Sequence, residues 1–247
     1  MKLAAIGIAA ATALAALAAY AHPTAPSPPI AAALSDPARP AKDKALDEER
    51  KPAELMRAIH LHAGQRVVDV WPGEYWDRLF GAVVGPKGEV IAWMPNEAAK
   101  AEKIAWPAPG THQGPNVIAE GGPVNAFTVD KPVDIVWIRQ NYHDLYDKFM
   151  GPADVPGFNK AVYRALKHGG LFVIIDHSAP KGSDLAATDT THRIDEARVV
   201  RDLVKAGFVT AGSSMALRNP ADPRDKVVFD KAIRGHTDQF VLIFRKP

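Results

Sequence analysis

The chain has 247 residues, with 28 acidic side chains against 30 Lys and Arg, a formal net charge of +2 and no cysteine. Balanced charge without a Lys/Arg run leaves no electrostatic footprint for nucleic acid. The lack of cysteine excludes thiol catalysis and disulfides and suits an oxidising compartment, so an apolar core must hold the fold.

Lys2, an aliphatic run from Leu3 to Ala19 and the small-x-small triplet Ala19-Tyr20-Ala21 follow the order of a secretory signal. The run is marginally long for a membrane span, which needs about 20 apolar residues. Residues 1–21 are therefore read as a signal peptide. Its removal exposes His22 on an exported protein, periplasmic or secreted, with no stable membrane span. Residues 22–40 (HPTAPSPPIAAALSDPARP) read as a proline-rich, extended linker. The remainder, 41–247, suits one α/β domain.

That domain opens on an amphipathic helical region, Ala41 to His62, interrupted at Pro52. The pattern then alternates: strand 66–70, helix 75–84, strand 89–93, helix 97–105, strands 116–120 and 133–138, helix 155–167, strand 171–176 and helix 195–206. Strands 208–217 and 239–244 close the chain. VVDV, VDIVWI and LFVIID are apolar on both faces, as central parallel strands are. Lys167-His168-Gly169-Gly170 is a helix stop with basic residues before a left-handed glycine. The last two strands, split by the polar insertion 218–236, suggest an antiparallel closing pair. Phe229 and Ile233 are candidate anchors of that insertion, which forms a lid, a partner surface or a homo-oligomer contact.

Val67-Val68-Asp69-Val70 with Gly73, then Gly85-Pro86-Lys87-Gly88-Glu89-Val90, then Leu166-Lys167-His168-Gly169-Gly170 stand in the order and spacing of class I methyltransferase motifs. Across 52–246 the chain resembles that family, closest to exported bacterial predicted methyltransferases with an Asn-Tyr-His-Asp segment. The resemblance implies a Rossmann-like α/β fold with a mostly parallel sheet, an antiparallel last strand and helices on both faces. It also implies S-adenosylmethionine as cofactor and methyl transfer to a small molecule. The implied cofactor positions are Asp69, Trp71, Gly73, Tyr75 and Met94. They depart from the family pattern. Trp71 and Tyr75 replace two of three loop glycines and add bulk where the cofactor sits, and Met94 stands where an acid grips the ribose. Glu97 substitutes for that acid only if its loop folds back.

Polar segments follow two strands and precede one helix: Asn141-Tyr142-His143-Asp144 and Asp176-His177 after strands, and Thr188 to Arg193 with His192 before a helix capped by Asp195. In a parallel sheet these strand ends share one rim, so His143, His177 and His192 should meet there. Asn141, Tyr142, His143, Asp144, His177 and His192 are the candidate catalytic residues, as a general-base cluster or a metal site. Each His-Asp pair could equally cap the next helix. As a rim residue, His143 should contribute little to stability. The alternatives to methyl transfer are other acid–base or metal chemistry, or a non-catalytic ligand-binding module. No Gly-x-Ser-x-Gly elbow or His-Glu-x-x-His helix is present.

Overall fold

A computed structural model describes residues 27–151 and 153–247. The expected signal peptide, 1–21, and the first linker residues, 22–26, lie outside the described residues. Four short helices, α1 (Pro28–Ser35), α2 (Ala41–Lys44), α3 (Asp47–Arg50) and α4 (Pro52–Ala58), lead into β1 (Arg66–Val70). Then come α5 (Tyr75–Val84), β2 (Glu89–Pro95), α6 (Asn96–Glu102), β3 (Thr111–His112), β4 (Val117–Gly122) and β5 (Val133–Arg139). The chain ends with α7 (Val155–Ala165), β6 (Leu166–His177), α8 (Thr188–Thr191), α9 (Glu196–Ala206), β7 (Val209–Ser214) and β8 (Gln239–Arg245).

All eight strands form one sheet in the order β3-β4-β2-β1-β5-β6-β8-β7. β4, β2, β1, β5 and β6 are parallel. β8 runs antiparallel to both its neighbours, and the two-residue β3 is an antiparallel edge. Chain order reverses at β1, which lies between β2 and β5, and such a reversal opens a crevice beyond the carboxyl ends of the strands. Successive side chains point to opposite faces. Val68 and Val70 therefore join the core under α6, α7 and α9, while Val67 joins the one under α1, α4 and α5.

Three local expectations are corrected. The proline-rich stretch is not an extended tether from residue 28 onward. Pro28-Pro29 occupies the first turn of α1, where a missing N–H breaks no helical bond, and Ile30 and Ala33 are buried against α4 and α5. The helical region 41–62 is interrupted at Pro52 as expected, with Lys51 left-handed ahead of it, but it also breaks between Lys44 and Asp47 and ends at Ala58. α7 stops at Ala165 and not at Lys167, and Leu166 already pairs with Val133. Gly169 does adopt a left-handed φ of 79°, but inside a bulged β6.

Asp69 sits on the α5 side of β1, buried against Asp77. Burial, and next the Asp77 charge, push Asp69 well above the usual carboxylate range. Burial also raises Asp77, to about 6, held back by hydrogen bonds from Asp69 and the Glu74 backbone. Asp69 is thus the partner that holds the proton. A carboxyl raised in the folded state stabilises fully below its unfolded value of about 4, and that contribution is lost as pH climbs through about 6. Asp77→Asn should therefore raise the melting temperature by several degrees at pH 8, on the order of 2 kcal/mol, and by little at pH 4. Equal shifts at both pH values in thermal denaturation would refute this.

Candidate active site

β5 ends at Arg139, and Gln140, with a left-handed φ of 63°, turns the chain across the carboxyl edge into a tight turn from His143 to Tyr146. β6 ends alongside, so Asp176 and His177 meet that turn. Asp176 is fully buried and satisfied three times. Its Oδ2 accepts from the His143 backbone N–H at 2.8 Å. Its Oδ1 lies 2.8 Å from His143 Nδ1 and accepts from the His177 backbone N–H at 2.8 Å. This fixes the His143 ring, with Nε2 directed away from Asp176.

Around Nε2 the other groups gather. Asp144 Oδ1 is 3.2 Å away and His192 Nδ1 3.3 Å. His192 caps α8 in a left-handed conformation, with Asp144 Oδ1 3.5 Å and Asp147 Oδ2 4.0 Å from its Nδ1. Asn141 donates to Asp144 Oδ2 at 3.1 Å. His177 lies behind, its ring centroid 6.2 Å from that of His143 and its Nδ1 2.8 Å from Thr237 Oγ1.

Burial disfavours a charged His143, but the Asp176 charge and the hydrogen bonds to Asp144 and Asp176 outweigh it and push the ring up to about 10. His177 moves the opposite way: burial, and then the positive charges of His143, Arg139 and Arg193, hold it well below its ordinary value. Burial would raise Asp144, but its bond to His143 wins and lowers it. Burial pushes Asp147 up to about 6, with the Asp144 charge adding to it and the Thr188 side chain and the His143 and His192 charges working against it.

A cavity of about 520 Å³ opens over this group. Asn141, His143, Asp144, His177 and His192 line it, together with Trp71 from the β1 loop and Phe229 from the insertion. The structure thus brings together five of the six expected catalytic residues. Tyr142 is not among them. It is fully buried in the core, its hydroxyl accepting from Asn159 Nδ2 at 2.8 Å. Phe229 is no anchor either: it is 57% exposed, with its ring 5.0 Å from that of His192, while Val228 and Ile233 are the buried residues of the insertion.

Of the positions implied for a cofactor, only Trp71 reaches the cavity. Its φ is 62°, its indole N–H donates to Glu102 Oε1 at 2.8 Å, and its ring meets Phe149 edge-on at 6.1 Å. Gly73 is exposed on the loop. Tyr75 points away, beneath the Arg50 guanidinium, and its hydroxyl donates to Asp47 Oδ1 at 2.6 Å. The bulk expected there from Tyr75 is therefore absent from the crevice. Asp69 faces Asp77 on the far side of the sheet, and Met94 is buried in the core. Glu97 accepts from the Val124 backbone N–H at 3.0 Å.

Asp147 and Thr237 were not singled out from the sequence, and Arg193 appeared there only as the end of the His192 segment. For Asp147 a signal existed, since His143, Asp144 and Asp147 are spaced to share one helical turn. Arg193, wholly buried, donates to both oxygens of Asp222, at 2.8 and 3.1 Å, and to the carbonyls of Ser178 and Lys226. It ties the insertion to the His192 loop, a long-range pairing that nothing local announces.

No protein-family model and no curated sequence matches the chain. Solved structures do. An S-adenosylmethionine-dependent methyltransferase from Aquifex aeolicus is 18% identical, with a TM-score of 0.51 over 85% of this chain and 99% of that one. An arsenic(III) S-adenosylmethionine methyltransferase from Chlamydomonas reinhardtii is 17% identical, with a TM-score of 0.51 over 90% and 74%. The N-methyltransferase NodS from Bradyrhizobium japonicum is 12% identical, with a TM-score of 0.51 over 83% and 99%. The chain therefore has the class I methyltransferase fold, a Rossmann-like α/β sheet with an antiparallel last strand. Fold alone does not fix chemistry.

Proposed function

We propose that the protein is an enzyme acting on a small polar molecule by proton transfer and electrostatic stabilisation in the carboxyl-edge cavity, without methyl transfer from S-adenosylmethionine. One observation carries the reading: polar atoms of His143, Asp144 and His192, from two separate loops, lie within 3.5 Å of one another on the cavity floor, behind a buried positioning carboxylate, Asp176. Asp176 orients His143, whose cavity-facing edge supplies positive charge. His177, fixed by Thr237, is the proton acceptor. Val228 and Phe229 line the cavity on the insertion side.

The residues at the family's cofactor positions do not fit the cofactor. Trp71 is almost wholly buried, its indole tied to Glu102 and packed on Phe149, where the resemblance calls for bare glycine backbone. The end of β2 offers Met94, an apolar side chain, in place of a ribose-binding acid, and Glu97 is engaged by Val124. A charge-assisted hydrogen bond of about 1.5 to 3 kcal/mol is thereby missing. Calorimetric titration of the protein with S-adenosylmethionine tests the reading. No heat of binding is expected at cellular cofactor levels, and a clear one-to-one isotherm would return the protein to methyl transfer.

A further inference from the structure

We propose that His143, Asp144, Asp147 and His192 bind one divalent transition-metal ion, with zinc as the fitting species. The proposal builds on the reading of this cavity as the reaction site and deepens it: the ion takes the place of the His143 Nε2 proton as the source of positive charge. Its first support is geometric. His143 Nε2, Asp144 Oδ1 and His192 Nδ1 form a near-equilateral triangle with edges of 3.2, 3.3 and 3.5 Å. Zinc binds nitrogen and carboxylate oxygen at about 2.0 to 2.2 Å, which sets the edge of a tetrahedral ligand set at about 3.4 Å. Asp147 stands just outside the triangle as the fourth ligand: one ligand atom from each of the four residues lies within 4.8 Å of every other, and its carboxylate closes in on the ion to complete the set.

The second support is independent of that spacing. Asp147 is 2% exposed, yet neither of its carboxylate oxygens has a hydrogen-bond partner of normal geometry. A buried carboxylate without partners costs several kcal/mol unless something cationic meets it. Its Oδ2 points to the His192 side of the triangle, at 4.0 Å from Nδ1. The third support is Asp176, held in the position of the carboxylate that receives the far ring N–H of a metal-bound histidine. Its Oδ1 takes the Nδ1 side of His143 and leaves Nε2 for the ion. Two imidazoles with two carboxylates suit zinc and its first-row neighbours better than magnesium or calcium, which take oxygen ligands. Bound there, the ion would sit on the cavity floor, with Asn141 holding the outer oxygen of Asp144.

The test uses the full chain loaded with zinc, passed through metal-free buffer and assayed for metal by mass spectrometry. About one zinc per chain is expected for the wild type and for His112→Ala, an exposed control on the edge strand. Asp147→Asn and His192→Ala remove ligands without emptying the core. Each should weaken zinc binding at least tenfold in competition with a chromogenic chelator, while melting within a few degrees of the zinc-free wild type. Asp176→Asn, a positioning change, should weaken it about 10- to 100-fold. Cobalt should give the visible absorption of a tetrahedral site in the wild type and lose it in His192→Ala. The proposal is overturned if the wild type retains no zinc, or if the Asp147 and His192 variants hold it as tightly. Zinc uptake by a protein that also binds S-adenosylmethionine would keep the metal site and remove the proposed function; no uptake by a protein that ignores the cofactor would remove the metal site alone.

Discussion

Replacing Arg193 with alanine is expected to lower the melting temperature by on the order of 10 °C. Arg193 and Asp222 are both fully buried at the side chain and bonded face to face. Removing one partner of such a pair leaves an uncompensated charge in the interior, at a cost of about 3 to 5 kcal/mol. In a domain of this size each kcal/mol shifts the midpoint by about 2 to 4 °C. The loss should be local in its first stage, because Arg193 also holds the Lys226 carbonyl and so pins the insertion. Circular dichroism melting with limited proteolysis checks both parts: new cleavage should appear between residues 218 and 236. A melting shift of less than a degree would mean that the pair contributes nothing.

His143→Ala is expected to remove turnover, or retention of a co-purified small molecule, by a factor of about 10² to 10³, the usual worth of one positioned group that stabilises developing charge. It should also destabilise. The sequence suggested an exposed rim residue with little effect on melting, but His143 is 2% exposed and supports the buried Asp176. Deleting the ring leaves that carboxylate with two backbone donors only, at a cost of about 1 to 3 kcal/mol. Adding Asp176→Asn to His143→Ala should recover part of this loss, and native mass spectrometry with calorimetry separates the two effects. A variant that melts earlier yet keeps its ligand would make His143 a structural cap.

The sheet was legible because its central strands are apolar runs interrupted only by single aspartates, Asp69, Asp134 and Asp176. VVDV, VDIVWI and LFVIID must be buried on both faces, and that fixes parallel pairing with helices above and below. Parallel strands share an exit rim, so the approach of His143 and His177 followed from where the runs end. Side-chain direction did not follow. Tyr75 and Tyr142 sit beside crevice residues in sequence but turn into packing, Tyr75 beneath Arg50 and Tyr142 onto Asn159. Composition misread 28–35, since prolines that break a helix interior are tolerated in its first turn, and burial of Ile30 and Ala33 then holds the turn in place. The Arg193–Asp222 pair spans 29 residues and has no local periodicity to betray it.

β8 runs against its neighbours, and this has a topological consequence for the cavity. β4, β2, β1, β5 and β6 deliver their carboxyl ends to one rim, and β7, antiparallel to β8, delivers its own there too. β8 is the one long strand that departs from that rim, starting at Gln239 beside His177. The segment between β7 and β8 therefore begins and ends on the same side of the sheet and never has to cross a face. Its residues are free to vary in number without moving a strand, while its β8 end stays beside His177. Had β8 been parallel, the same residues would have had to return to the opposite edge, and neither Phe229 nor Thr237 could have reached the place where His192 and His177 stand.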